Sequence, residues 1–491
     1  MTTNMRRYLM LVWMLAGLQF FAAAQDPAAQ NPPEQNPPAQ TSTSSGNGTA
    51  ARTAPAAPLS AIAGMEPESG TTDSSADLPQ IPALLGGKGI TSAFVSELQR
   101  SSYLRGGINV GATYDDNPLL ASTGQVSNTS ESIFPNLRIE ESSSRARWTL
   151  GYAGGLTIDQ KITSQNQGSH NLLFDSGFRL SPHVNLRLAE NFSIVTGFFD
   201  AGNASDVVTG SGGPNPSLIA PLSTQRSSVT TVETNYHCAL NDVIGASGSF
   251  YDLHYTNIPK NVEPTPLTET QTATGTGFWL HRLFRGDWGG ASYRFDRLTF
   301  SPGGGETRVH SIFAVNTLNI AKRFTLTGFA GPQYSENQGV LLGSTVATQS
   351  NAWSVAGGVE GGWQNQRTSV SAGYSRIISD GGGVLGTVRL QTVHGAFRRE
   401  LVPGWTAALN ASYGTNQSIL VPQAGSASSI DSTSAGATLE RNIGKSIGLR
   451  LGYMHDFQQQ FGLPASNPTL DASRNRFFAT LSYQWAKPLG M

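Results

Sequence analysis

Residues Arg474 to Trp485 read RNRFFATLSYQW, and the way they alternate decides what kind of fold this chain adopts. Phe477, Ala479, Leu481, Tyr483 and Trp485 fall on one side of an extended strand. Phe478, Thr480, Ser482 and Gln484 fall on the other. A period of two with aromatics near both ends is the pattern of a strand with lipid on one face and water on the other. A strand of a soluble sandwich alternates too, so the weight of the reading rests on recurrence along the chain.

The pattern recurs back to Leu104. Ile108, Val110, Ala112 and Tyr114 share one face, as do Trp148, Leu150, Tyr152, Leu156 and Ile158. The same holds for Trp405, Leu409 and Tyr413, and for Ile447, Leu449, Leu451 and Tyr453. Between these runs, short polar links take turns with longer loops. The short set includes ESSSR, Ala189-Glu190-Asn191, Asn241-Asp242, Phe284-Arg285-Gly286, Gln364-Asn365-Gln366 and Val402-Pro403-Gly404. The longer set includes DDNPLLASTGQVSNTSES, residues 202–225, SPGGGET, SDGGGVLG and residues 414–430. The count comes to about eighteen strands, an even number, as an all-β, up-and-down antiparallel transmembrane barrel requires. Closing such a sheet leaves no unpaired strand edge in lipid.

Composition agrees. Charged residues are 13% of the 491 and glycines number 55, while mean hydropathy is −0.22. That is too polar for a bundle of membrane helices but suits a wall that is half lipid-facing and half water-facing. A formal net charge of −1 gives no case for nucleic acid. The single cysteine, Cys238, has no internal disulfide partner.

Ahead of the strands lie two other compositions. Residues 1–24 read as a secretory signal peptide, with Arg6 and Arg7, an apolar run from Tyr8 to Phe21, and Ala22-Ala23-Ala24 as the cleavage site. Residues 25–103 are expected to be a Pro/Ala/Gln/Ser-rich disordered linker in the periplasm, either a tether or an arm for peptidoglycan or another partner. Ile90, Phe94, Val95 and Leu98 within it have the spacing of a short amphipathic helix. The barrel takes residues 104–491.

If the aromatic face meets lipid, the opposite parity lines the lumen. That set is Arg138, Glu140, Arg147, Asp175, Arg179, Glu233, His237, Glu360, Arg367, Glu440, Arg450 and Asp456. Both signs are present and no block of like charge stands out, unlike the ring of one sign expected of a strongly ion-selective pore. Cross-lumen pairing that stabilises the wall and a role in lining a pore are both open for these residues. Enzyme chemistry is poorly supported. The eight histidines are scattered, no G-x-S-x-G elbow occurs, and His254 with Asp252 and His455 with Asp456 are isolated neighbours. SPGGGET lacks the lysine of a phosphate cradle. Asp115, Asp116, Asn117 and Asp296 read as turn formers, with cation chelation as the alternative. Nothing in these spacings asks for a cofactor or a metal.

The stretches GGINVGATYDDNPLL (residues 106–120) and RFFATLSYQWAKPLG (residues 476–490) resemble the β-barrel porin and outer-membrane β-barrel families of Gram-negative bacteria. The resemblance implies outer-membrane localisation, a partnership with the barrel assembly machinery and with membrane lipid, and a pore or portal for hydrophilic solutes or glycans. Some members are associated with exopolysaccharide export. A non-conducting barrel whose outer loops bind a ligand is the alternative. Phe477, Tyr483 and Trp485 are the candidate assembly signal, although AKPLGM follows Trp485 where such families usually end on the aromatic residue.

Overall fold

The computed structural model describes residues 102–489, apart from 119–124, 144, 162–165, 197–223, 257–266, 302–304, 321–322, 341–346, 383–384, 420–428 and 462–470. The expected signal peptide, the linker up to residue 101 and the Ile90–Leu98 helix lie outside the described residues.

Eighteen antiparallel strands follow one another: β1 (Tyr103–Asp115), β2 (Asn128–Ser142), β3 (Ala146–Asp159), β4 (Gln167–Arg179), β5 (Val184–Thr196), β6 (Thr224–Ala239), β7 (Asp242–Thr256), β8 (Glu269–Phe284), β9 (Asp287–Ser301), β10 (Gly305–Ile320), β11 (Phe324–Val340), β12 (Ala347–Gln364), β13 (Thr368–Gly381), β14 (Leu385–Val402), β15 (Trp405–Ser418), β16 (Ser429–Ile443), β17 (Ile447–Phe461) and β18 (Ala472–Pro488). Each pairs with its sequence neighbours, and β18 pairs with β1 to close the ring. The closing ladder runs in unbroken register from Tyr103 opposite Pro488 to Asp115 opposite Arg476. Eighteen strands about 4.8 Å apart and tilted by about 40° enclose a circle roughly 35 Å across. That is wide enough for a lumen unless something fills it.

The strands form because their side chains sort by parity. On β18, Phe477 is 53% exposed and Leu481 53%, whereas Arg474 between the same neighbours is 1% exposed. Outward apolar side chains run round the wall, among them Val110, Ile133, Leu156, Val232, Ile312, Val393, Leu409 and Leu451, all exposed. In water this would be an apolar belt far beyond what a soluble monomer shows, so lipid is the solvent these residues fit. On β12 the outward Trp363 and Trp353 stand ten residues apart, roughly 25 Å in height at about 3.3 Å per residue and the same tilt. That matches the height of a barrel's apolar band between its aromatic girdles. At the short-turn end Trp279 Nε1 donates to Asp242 Oδ1 at 3.0 Å, holding another outward indole by its polar tip.

Three connections differ from the sequence reading. Ala189, Glu190 and Asn191 are not a turn but the middle of β5. The turn lies at residues 180–183, where the hydroxyl of Ser181 accepts from the amides of His183 and Val184 around Pro182. SPGGGET and SDGGGVLG are not long loops. Only three residues separate Ser301, the end of β9, from Gly305, the start of β10, and only three separate Gly381, the end of β13, from Leu385, the start of β14. Gly382 has φ of 58°, the left-handed conformation such a tight tip requires. These two hairpins interrupt the alternation of short and long connections, and they meet each other inside the barrel.

Candidate functional site: the lumen

The inner wall has two unlike halves. The first, from β14 through β18 to β6, carries ion pairs. Near the short-turn end Arg138 Nε lies 2.7 Å from Glu140 Oε1, with Arg105 Nη2 3.5 Å from Glu140 Oε2. Arg187 grips Asp175 with two bonds of 3.1 Å and has Glu233 at 3.9 Å. Glu440 lies between Arg398 and Arg450, 3.3 Å from each. Near the loop end Asp456 takes Arg474 at 3.0 Å and Arg476 at 2.8 Å on one carboxylate oxygen, and the Ser434 hydroxyl at 2.9 Å on the other. Arg474 also has Asp115 at 3.9 Å. Carboxylates beside guanidiniums all round this half leave no ring of one sign, so its field on a passing ion is weak.

Most of the residues singled out by parity therefore lie in these pairs: Arg138, Glu140, Asp175, Glu233, Glu440, Arg450 and Asp456. Arg147 stands opposite Gly177 at the short-turn end of β3, and Glu360 stands in the lower half of β12. Arg179 and Arg367 are exposed at the short-turn end, Arg367 in the turn after β12, outside the strands. Sequence reasoning left Arg187, Arg294, Arg398, Arg474 and Arg476 unassigned, and read Asp115 and Asp296 as turn formers or chelators and not as lumen residues. All share the inward parity of their strands, which was the available signal.

The possible chelating set does not converge. Asp115 takes the Asn117 amide at 3.0 Å, Asp116 takes the Asn475 amide at 2.7 Å, and Asp296 is held by Arg294 at 2.8 Å on another strand. Among the described residues no cluster of three or more His, Cys, Asp or Glu is placed to hold a metal ion. His254 does meet Asp252, at 2.9 Å, and also Glu269 at 3.1 Å. His455 instead meets Asn475 at 2.9 Å, since it and Asp456 occupy opposite faces of β17.

The second half, β7 to β11, carries apolar clusters on its inner side, interrupted on β9 by the buried Arg294–Asp296 pair. Val243, Phe278, Leu280, Trp288, Phe313 and Val315 form one buried cluster with Ala356 of β12 and Ile377 of β13, edged by Phe329. Tyr251, Leu253, Tyr255 and Leu267 form another. Nearer the loop end Leu298, Phe300 and Val309 pack with Ile378 of β13 and with Ile419 just after β15. These last contacts leave the plane of the wall. Strands four apart lie about 19 Å apart along a barrel wall, yet the hydroxyls of Thr307 on β10 and Thr387 on β14 are 2.6 Å apart. Likewise the Tyr255 hydroxyl of β7 donates to the Gly382 carbonyl at 2.7 Å. The loop-end part of the β13–β14 hairpin is folded into the lumen.

Fold and lumen together define a closed 18-stranded transmembrane β-barrel with one ion-paired wall, one wall carrying apolar clusters, and a hairpin folded in against the latter. No protein-family model matches the chain, and no curated protein matches it in sequence. Solved structures similar in fold include the outer membrane protein OpdK from Pseudomonas aeruginosa, with 9% identity and a TM-score of 0.39 over 78% of this chain and 99% of that one. OccAB2 from Acinetobacter baumannii has 10% identity and a TM-score of 0.40 over 78% and 98%. The ferric-catecholate import receptor Fiu from E. coli K12 has 10% identity and a TM-score of 0.41 over 77% and 81%. Likeness at this level is one of barrel type, and the functional reading below rests on this chain's own walls.

Proposed function

We propose that the protein is an outer-membrane pore that passes hydrophilic solutes through its lumen. The observation that supports it is the closed 18-strand ring whose outer face is apolar and whose inner face keeps charged groups in mutual pairs. A structural barrel without a channel needs no lumen of this width, and barrels of 16–18 strands characteristically enclose one. On this reading Arg138, Glu140, Asp175, Glu233, Glu440 and Arg450 foremost line the pore, a role their mutual ion pairs support. Export of a glycan is a narrower version, motivated by the family resemblance of residues 106–120 and 476–490. In that version residues 25–103 are a periplasmic arm toward peptidoglycan or an export partner.

Purified protein reconstituted in planar bilayers tests the reading. The expected result is discrete conductance steps with little preference between cations and anions, because the charges are paired. Folded, heat-modifiable protein that gives no steps would overturn it. A second reading, a non-conducting barrel, is favoured by one observation: Ile378, Thr387 and Gly382 of the hairpin touch side chains of β7, β9 and β10 across the lumen's edge.

A further inference from the structure

The infolded hairpin leaves a seam in the wall. β12 and β13 pair from Gln364 opposite Ser369 up to Gly357 opposite Arg376, and no further. Beyond that point, among the described residues, the backbone of β12 runs on to Ala347 in register with β11 alone, and that of β13 runs on to Gly381 in register with β14 alone. Trp353, on the free stretch, is 73% exposed. The seam starts six residues above Trp363 and four below Trp353, so it opens in the loop-side part of the apolar band. An unpaired strand edge at that depth costs several kcal/mol per unsatisfied group, so the edge has a partner for at least part of the time.

The partner is present in the chain. Continuing the observed register would set Ile377 opposite Ala356, Ile378 opposite Val355 and Asp380 opposite Trp353. In that arrangement Ile378 joins Val355 on the outer face, where an apolar side chain belongs. At present Ile378 is 5% exposed against Leu298, Phe300 and Val309, although its neighbour Ile377, on the other side of β13, is also buried at 6%. Ile377 and Ile378 give the segment an apolar side chain on each face, and Asp380, of the same parity as Ile378, would come beside Trp353 at the loop-side rim.

Zipping β13 onto β12 would withdraw the hairpin and uncover Leu298, Phe300 and Val309. They would form an apolar patch at the loop end, separated from the deeper cluster of Phe278, Trp288 and Phe313 by the Arg294–Asp296 pair on β9 and by Ser311 on β10. The lumen would then have a hydrocarbon and aromatic patch at the loop end of β9 and β10, with paired charges on the wall across from it. We propose that the pore's substrate is an amphipathic solute, whose apolar part lies against the inner face of β9 and β10 when the hairpin zips onto β12 and whose hydroxylated or polar part faces the ion-paired wall. The proposal rests on the pore reading and names its substrate class.

Two disulfide locks test it in a Cys238→Ser background, with each variant first shown to be heat-modifiable. Val355→Cys with Ile378→Cys locks the zipped position, since directly opposed strand residues have the spacing of a disulfide. Thr307→Cys with Thr387→Cys locks the infolded position. The probes are glucose and phenyl β-glucoside, read by channel-current blockades. The zipped lock is expected to conduct more than the infolded lock. Phenyl glucoside should stay roughly tenfold longer than glucose in the zipped lock, the gain of burying one ring, with no difference in the infolded lock. Phe300→Ser, which adds no cysteine, should shorten the phenyl glucoside dwell. Equal dwell times for the two probes in the zipped lock would overturn the substrate class and leave the pore standing. Failure of the 355/378 pair to oxidise where the 307/387 pair does would overturn the moving hairpin. Silence of every folded form, oxidised or reduced, would overturn the pore itself.

Discussion

Asp456 shows what a single inward residue does in this wall. It is 1% exposed and is the shared counter-ion of two guanidiniums, Arg474 and Arg476, themselves 1% and 3% exposed. Removing one partner of a buried charge pair leaves the other uncompensated, at about 3–5 kcal/mol. Asp456→Asn should therefore lower the denaturant midpoint of the reconstituted barrel by far more than Glu440→Gln, whose side chain is 28% exposed and whose two arginines reach water. Comparable shifts would mean that the loop-end network is open to solvent. Glu190 is the opposite case. It has the outward parity of β5, opposite Phe174 and Thr230, with its carboxylate taking the hydroxyls of Ser228 at 2.7 Å and of Thr230. A charge on the lipid face destabilises, most at mid-height. Glu190→Leu should accordingly raise the temperature at which the folded gel band disappears; a fall would show that protein, not lipid, covers this face. Neither role was legible in the chain. Ala189-Glu190-Asn191 has the composition of a turn, and only the Ser181-Pro182 corner two residues beyond Leu180 displaces it. Arg474 and Arg476 lay in plain parity, but their shared partner comes from another strand, and strand-to-strand register cannot be read from one segment.

At the scale of the strand the sequence was informative, because lipid and water impose a period of two that local chemistry seldom hides. The turns at Arg285-Gly286, Asn365–Arg367 and Pro403-Gly404 also stand where their residues put them. What failed was the reading of triglycine as loop. A run such as Gly381–Gly383 is as suited to a tight tip as to a long excursion, and what decided it was apolar contact of Ile378 with a wall far along the chain. The parity itself is open to a direct test on β15. Leu409 is 54% exposed on the outer face, and its neighbour Asn410 faces inward opposite Ala396 and Gly436. Lysine on the lipid face costs about 2–4 kcal/mol near the midplane, whereas lumen positions tolerate charge. Leu409→Lys should thus cut folding yield in lipid vesicles sharply and Asn410→Lys only slightly. The reverse order would mean that the wall is turned inside out.

For the whole molecule, everything depends on the ring being closed between the first strand and the last. Tyr483 stands opposite Ile108 and Trp485 opposite Gly106. The Trp485 indole lies so close over Gly106 that a Cβ added there would come within 2.5 Å of the ring, so the glycine makes room for the aromatic that ends the outer face. A barrel without this strand presents two unpaired edges to lipid, the edge of β1 and the edge of β17, each unsatisfied backbone group costing several kcal/mol. Deleting Phe477–Met491 removes the ladder from Tyr114 downward and should abolish the heat-modifiable form in membranes. Deleting only Ala486–Met491 removes the pairs at Arg105, Leu104 and Tyr103, all at the short-turn end, and should leave a folded band with a lower melting temperature. Gly106→Leu keeps every ladder bond but displaces the indole, so it should fold more slowly in vesicles and shift Trp emission without losing the band. Gel mobility of heated and unheated samples separates the three. If the chain lacking Phe477–Met491 still gives a compact, heat-modifiable band, then β17 and β1 can close a smaller ring by themselves, and β18 is not the strand that completes the wall.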